Sequence, residues 1–138
     1  MLVLNPGTVS FNGTSWDDVT VVALDRDGER VVRAWGDFGP HAVLADVPEQ
    51  SVGVRVVRRL ARDDIDGPRP GDMGELVFFT SPSGADLGRR RVRATCVVTR
   101  VRHELGGREG ATREVRFAAV SSDGAADPVS IEAADGMA

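Results

Sequence analysis

The run Leu76-Val77-Phe78-Phe79 is apolar on both of the faces that a β-strand presents. Because successive side chains of a strand point to opposite sides, Leu76 and Phe78 share one face, and Val77 and Phe79 share the other. Similar β-branched runs span Val19–Leu24, Val52–Leu60 and Val92–Val101. An isolated antiparallel sheet usually keeps one wet face and therefore alternates apolar and polar residues. A strand that is apolar on both faces needs a second layer or another subunit to cover it.

Breaks rich in Gly, Asp and Pro separate these runs and set the predicted strand boundaries. The predicted strands are 7–12, 18–25, 29–36, 41–45, 51–60, 74–80, 89–103, 112–121 and 128–132. Asn12-Gly13 is predicted to form a turn. Asp25-Arg26-Asp27-Gly28 is predicted to form a tight hairpin turn, and Pro48 opens a further break. The segment from Arg58 to Asp64 is compatible with a helical turn. The pattern predicts an all-β chain with at most one short helix, folded as an antiparallel β-sandwich or barrel.

The length of 138 residues predicts a single domain over residues 1–138. Residues 61–73 are rich in Asp, Gly and Pro and are predicted to form a long loop. Connections of that length in compact domains are often functional. The C-terminal residues 133–138 are predicted to be frayed.

The composition disfavours several classes of function. The formal charge is −4, so a generic nucleic-acid-binding surface is not indicated. All 17 basic residues are Arg, which excludes a Schiff-base lysine. Cys96 is the single cysteine, and its apolar neighbours predict a buried, unreactive thiol. The N-terminus lacks a signal-peptide pattern, and no run approaches the ~20 apolar residues of a membrane span. We therefore expect synthesis in the cytoplasm and no membrane span.

No motif in the sequence indicates catalysis. His41 and His103 lie far apart, and neither has a second metal ligand close in sequence. The Gly-x-Ser-x-Gly motif of a nucleophile elbow is absent. We therefore predict no catalytic, cofactor-binding or metal-binding residues, and a protein that is not an enzyme.

Charge is unevenly distributed along the chain. Six arginines fall within 89–103 without an intervening acid, whereas the loop at 61–73 carries four aspartates. Separated patches of opposite sign suit self-association with a fixed register. Contact of the basic strand with a nucleic-acid backbone remains an open alternative, although no interleaved aromatic residue is present to stack bases. The predicted subunit-interface residues are Asp63, Asp64, Asp66, Asp72, Val77, Phe79, Arg89, Arg91, Arg93, Arg100 and Arg102.

The order of these features resembles a phage tail tube protein. The resemblance lies in Asn5-Pro6-Gly7-Thr8-Val9-Ser10-Phe11-Asn12-Gly13 and in Trp35-Gly36-Asp37-Phe38-Gly39. It extends to the strand Val52–Leu60 with its acidic loop and to the closing pair of long strands. The tube components of type VI secretion systems and of contractile injection systems share the fold of this family.

The resemblance implies a β-sandwich or barrel of the tail-tube type, with a flanking helix. It implies homo-oligomeric rings, expected to be hexameric, that stack into a tube in the tail of a virion. Other tail proteins would be partners, and DNA would pass through the lumen without specific binding. Two alternatives remain open: another ring-forming tail component, such as a terminator or baseplate protein, and a small nucleic-acid-binding β-barrel.

Overall fold

A computed structural model describes residues 2–3, 9–61, 64–80, 89–106 and 110–133. Within these ranges the chain forms nine strands and no helix. The strands are β1 (Leu2–Val3), β2 (Val9–Phe11), β3 (Thr14–Trp16), β4 (Val19–Trp35), β5 (Ala42–Leu60), β6 (Met73–Phe79), β7 (Arg90–Gly106), β8 (Gly110–Ala119) and β9 (Val129–Ala133). Every pairing between them is antiparallel. The predicted all-β class is confirmed. The flanking helix implied by the resemblance is not found in these ranges.

The strands form one sheet in the order β1-β4-β5-β8-β7-β6-β2-β3, and β9 pairs with β7. The sheet is not closed by hydrogen bonds into a complete barrel, but it curls strongly. Phe11 on β2 lies 5.0 Å from Phe117 on β8 between ring centroids, and Trp16 on β3 lies 6.1 Å from Phe117. Strands that are remote in the sheet order therefore pack face to face, which is consistent with a sandwich or barrel.

The core lies on the concave side of this sheet. Val92, Ala94, Cys96 and Val98 alternate inward along β7, as the period of a strand requires. The pairs Phe11–Trp16 and Phe11–Phe117 are tilted rings at 5.8 and 5.0 Å, a geometry that stabilises aromatic clusters. Leu76 and Phe78 are buried in this core, and Val77 and Phe79 on the opposite face are half-buried.

The predicted turn at Asp25-Arg26-Asp27-Gly28 is wrong, because β4 runs through it without interruption. These four residues pair in regular register with Gly53, Val52, Ser51 and Gln50 of β5. Gly28 has no positive φ, and a Cβ there would meet Val47 Cγ1 at 2.9 Å. Gly28 is thus accounted for by the close approach of Val47 rather than by a turn.

The predicted break at Pro48 is also wrong. The strand β5 continues from Ala42 to Leu60 as one element. The register shifts between Arg30 and Val32 of β4, which are paired with Glu49 and Asp46. Pro48 lies within this irregularity, where its missing N–H costs no ladder hydrogen bond. Since Arg58–Leu60 also belongs to β5, the possible helical turn does not form there. The predicted turn at Asn12-Gly13 is confirmed by positive φ values of 52° and 83°.

Candidate assembly interfaces

The long hairpin of β4 and β5 extends beyond the body of the sheet. β5 pairs with β8 from Gly53 to Leu60 only, and β1 covers β4 only at Val22 and Ala23. From residue 27 to residue 51 the two strands pair solely with each other within the described ranges. We name residues 27–51 the arm.

The arm exposes most of its apolar side chains. Trp35 is 59% exposed and Phe38 is fully exposed, and Val31, Val32, Val43 and Leu44 are exposed as well. A two-stranded ribbon is only marginally stable in water on its own. A cluster of exposed apolar side chains on such a ribbon is typical of a surface that is covered by a partner.

Ion pairs hold the middle of the arm and Arg26, the residue directly before it, which forms its base. Arg26 Nη1 donates to both oxygens of Asp127 at 3.0 and 2.9 Å, and Arg30 Nε donates to Glu49 Oε1 at 3.3 Å. The Arg26 hydrogen bond, together with the Val129 N–H, holds the pKa of Asp127 below its usual value. The arm is therefore tethered at its base to the segment that precedes β9.

A second feature is the buried guanidinium of Arg113 on β8. Arg113 is 3% exposed and is the only buried charged residue in the described ranges. Its Nε donates to His103 Nε2 at 2.9 Å, and its Nη2 donates to the carbonyl and carboxylate of Asp64 at 3.3 Å and to the carbonyl of Asp66. The loop after β5 is thereby fastened across one end of the core. A buried charge of this kind requires such partners.

Gly67 lies directly against this guanidinium. A Cβ at Gly67 would meet Arg113 Cζ at 2.7 Å, so a larger residue would displace the loop or the arginine. Next to it an open groove of about 520 Å³ runs between the β2–β3 hairpin and the loop. Its lining residues are Phe11, Asn12, Thr14, Trp16, Gly67, Pro68, Asp72, Met73 and Arg113. The groove combines apolar walls with a cationic side chain.

The four loop aspartates that were predicted at the subunit interface differ in the contacts that the structure gives them. Asp63 lies outside the described residues. Asp64 binds Arg113, and Asp66 contributes its backbone carbonyl to the same arginine. Asp72 Oδ2 accepts from the Arg69 N–H at 2.8 Å. The contacts seen for Asp64, Asp66 and Asp72 are within their own chain, and a bridging role between subunits stays a prediction.

Four predicted interface residues lie together on the convex face of β6 and β7. Val77 pairs with Arg93, and Phe79 pairs with Arg91. Arg93 Nη2 lies 3.0 Å from Glu75 Oε2, and Arg91 Nη1 lies 3.3 Å from Glu132 Oε1 on β9. Hydrogen bonding to Glu75 raises the pKa of Arg93. These arginines are largely neutralised by acids of their own chain.

Arg89, also predicted at the subunit interface, covers the ring of Phe79, with its Cζ 4.1 Å from the ring centroid. The Cζ of Arg91 lies 5.8 Å from the same centroid. This is a cation–π geometry. The exposed face of Phe79 is therefore shielded within the subunit.

Arg100 and Arg102 are separated from the other predicted arginines by a bulge after Val98. Arg100 lies opposite Arg116 on β8, and Arg116 lies opposite Arg55 on β5, so three arginines form a row across three strands. Glu114 accepts a hydrogen bond from Arg116 Nε at 2.9 Å, and this contact lowers the pKa of Glu114. Arg102 pairs with Glu104 at 2.8 Å.

The arm, Arg113 and the groove are features that the sequence patterns did not predict. The sequence contained one signal for Arg113. This residue lies two and four residues before Val115 and Phe117 in the same strand, so the alternation that places those two side chains inward places Arg113 inward as well. The exposure of the arm had no local signal, since Val31, Val32, Val43 and Leu44 read as ordinary strand residues.

The comparisons with known proteins provide no identification: no protein-family model matches the chain, and no curated protein matches it either. Within the described residues, no group of three or more His, Cys, Asp or Glu side chains is arranged to hold a metal ion. The same residues contain no helix long and apolar enough to cross a membrane.

Proposed function

We propose that this protein is a self-assembling structural subunit of a phage or phage-like tail tube, which forms stacked rings around a channel for DNA. The observation that carries the proposal is the arm. Its exposed apolar residues include Trp35, Phe38 and Leu44, and within the described ranges no further strand pairs with the ribbon. A rigid β-body with a projecting apolar ribbon is suited to a repetitive assembly, because each subunit can reach the next.

The body of the subunit supports the same proposal. Its buried Arg113, bound to His103 and Asp64, fastens a loop to the sheet. The proposed role is structural and needs no catalytic residue. Rings of six subunits, a location in the tail of a virion and contacts with other tail proteins belong to this proposal through the family resemblance.

A nucleic-acid-binding β-barrel is the second candidate, and one observation favours it. Arg55, Arg116 and Arg100 line up on adjacent strands of the convex face, where a phosphate backbone could lie across them. The net charge of −4 opposes this function. Within β5, β7 and β8 no aromatic residue lies on the convex face, so these three strands offer bases no ring on which to stack.

The test of the proposed function compares two double variants by sedimentation velocity and negative-stain imaging. Val43→Ser/Leu44→Ser removes apolar surface from the arm, whereas Leu105→Ser/Ile131→Ser removes exposed apolar side chains from the body. We expect the parent and the body variant to form rings or tubes, and the arm variant to remain dissociated.

A parent protein that stays monomeric at high concentration would overturn the proposal. Particles that stop at single rings would instead indicate a terminator or baseplate component. Binding of the monomer to DNA with a submicromolar, salt-dependent dissociation constant would favour the nucleic-acid-binding alternative.

A further inference from the structure

We infer that the groove beside Arg113 receives the tip of the arm from a second copy of this chain, residues 35–38. The inference rests on the proposed function, because it names the site at which one subunit holds the next. It is carried by the groove, by the buried arginine that lines it and by the exposed residues at the arm tip.

The groove has the size and lining of a binding site for side chains. Its volume of about 520 Å³ lies within the range of about 300–1,000 Å³ that is usual for ligand pockets. Phe11, Trp16, Pro68 and Met73 provide apolar walls. Met73 is 58% exposed although it is apolar, so the groove presents apolar surface to solvent.

Arg113 provides one anion-binding group in this groove. Within the described residues its Nε and Nη2 are engaged with His103, Asp64 and Asp66, and Nη1 makes no hydrogen bond. Nη1 is therefore the donor available to an incoming group, in a side chain that is already held in place. The carboxylate of Asp72 also lines the groove, but it is bound to the Arg69 N–H.

The arm tip has the complementary chemistry. Trp35 and Phe38 are two exposed aromatic residues, and Asp37 lies between them. Large aromatic side chains in pockets, together with arginines, are enriched among the residues that anchor protein interfaces. In this arrangement an aromatic ring would lie on Met73 and Pro68, and the Asp37 carboxylate would face Arg113.

The contact must be intermolecular. Phe38 is fully exposed in its own chain, and Trp35 is 59% exposed, so the tip does not occupy its own groove. A donor tip and an acceptor groove at different places on one subunit give a head-to-tail interface. Such an interface closes into a ring or continues as a filament.

Trans-complementation tests this inference. Phe38→Ser disables the tip and leaves the groove intact, whereas Met73→Glu places a carboxylate in the groove and leaves the tip intact. Each variant alone should fail to assemble. An equimolar mixture should form a discrete heterodimer and nothing larger, because only one donor and one acceptor remain functional.

A labelled peptide of residues 33–41 provides the second measurement. It should bind the full-length Phe38→Ser variant. The dissociation constant of this complex should rise roughly tenfold or more when the protein carries Met73→Glu in addition to Phe38→Ser. A similar rise is expected when the peptide carries Asp37→Asn. Thr14→Glu, at an exposed position of the same groove, should weaken binding as well, and it replaces Met73→Glu if that variant does not fold.

The outcomes separate this inference from the proposed function. If the parent does not assemble, the proposed function fails. If the parent assembles and both Phe38→Ser and Met73→Glu assemble equally well, the proposed function stands and this inference is wrong. Absence of a heterodimer from two folded, assembly-deficient variants would also overturn it.

Discussion

Arg113 donates a hydrogen bond from Nε to Nε2 of His103 across the β7–β8 pair, at 2.9 Å. The acceptor nitrogen of His103 must therefore be unprotonated in this state. Both residues face inward at the end of the sheet that the loop covers, and Arg113 also holds the carbonyl of Asp66. One buried cation thus connects two strands and a loop.

Replacing Arg113 should destabilise the protein strongly. Arg113→Ala leaves the Asp66 carbonyl and the Asp64 carboxylate without their donor and opens space against Gly67. We expect a loss of roughly 3 kcal/mol in the free energy of unfolding, measured by urea denaturation. The control is Arg102→Ala, because Arg102 is an exposed residue paired with Glu104, and its loss should stay within about 0.5 kcal/mol. Equal effects of the two changes on the free energy of unfolding would contradict this hydrogen-bond network.

The two neighbouring phenylalanines of β6 should respond differently to truncation. Phe78 is 1% exposed in the core, so Phe78→Ala should cost about 3–5 kcal/mol. Phe79 lies on the convex face beneath Arg89, so Phe79→Ala should cost roughly 1 kcal/mol. Thermal and urea unfolding of both variants measure this difference. A larger loss for Phe79→Ala would reverse the assignment of faces.

Cys96 should be unreactive in the native protein. It is fully buried, and desolvation raises its pKa to about 12. A thiol reagent at pH 8 should therefore modify Cys96 only after unfolding in denaturant. Thr95→Cys places a thiol on the neighbouring, exposed position and should react in the folded state. Rapid native modification of the parent would show that Cys96 is not buried.

The strands of the body could be predicted because their core pattern is local. Apolar residues recur with the two-residue period of a strand, as at Leu76 and Phe78 in β6 and at Val92 and Val98 in β7. Burial follows that period. Cys96 follows the same alternation, and its predicted burial is confirmed. The turn at Asn12-Gly13 is also encoded in adjacent residues.

The length of the hairpin could not be predicted in the same way. Asp25-Arg26-Asp27-Gly28 has the composition of a turn, but a continuous partner in β5 keeps it extended. Local propensity is weaker than a complete ladder of cross-strand pairs. Exposure of Trp35 and Leu44 depends on where β8 stops covering β5, which is a property of the assembled sheet. The groove likewise joins residues 11–16 with residues 67–73 and Arg113, far apart in sequence.

The ion pair at the base of the arm should make stability depend on pH. The pKa of Asp127 is lowered in the folded state, first by the hydrogen bond from Arg26 and then by the Val129 N–H. The stability that ionised Asp127 contributes is therefore fully present above the pKa of the unfolded state, about 3.9. It is lost as the pH falls through the lower pKa of the folded state. Asp127→Asn should lower the free energy of unfolding at about pH 7. Below about pH 4 the difference in this free energy between the variant and the parent should become smaller.

Urea unfolding at a series of pH values measures this dependence. Arg26→Gln is the companion variant, because it removes the first cause of the shift and leaves the Val129 contact in place. A difference between the parent and Asp127→Asn that stays constant from pH 7 to pH 3 would contradict the linkage.

Hydrogen exchange should show that the arm is stabilised by assembly. In a dissociated subunit, the amides between Arg30 and Leu44 belong to a ribbon of two strands with no cover, so they should open and exchange rapidly. In the assembled parent, contacts of the arm with a neighbouring subunit should slow that exchange by at least about tenfold. The Phe38→Ser variant provides the dissociated reference, and exchange is followed by mass spectrometry.

The amides of Val98 and Val115 serve as the internal control, because both residues are buried in the body of the same sheet. Their protection should be similar in the two samples, since assembly through the arm leaves the core unchanged. If the arm amides exchange equally fast in assembled and dissociated protein, the arm is not the assembly element. If the core amides lose protection in Phe38→Ser, that variant is unfolded, and Val43→Ser/Leu44→Ser becomes the dissociated reference.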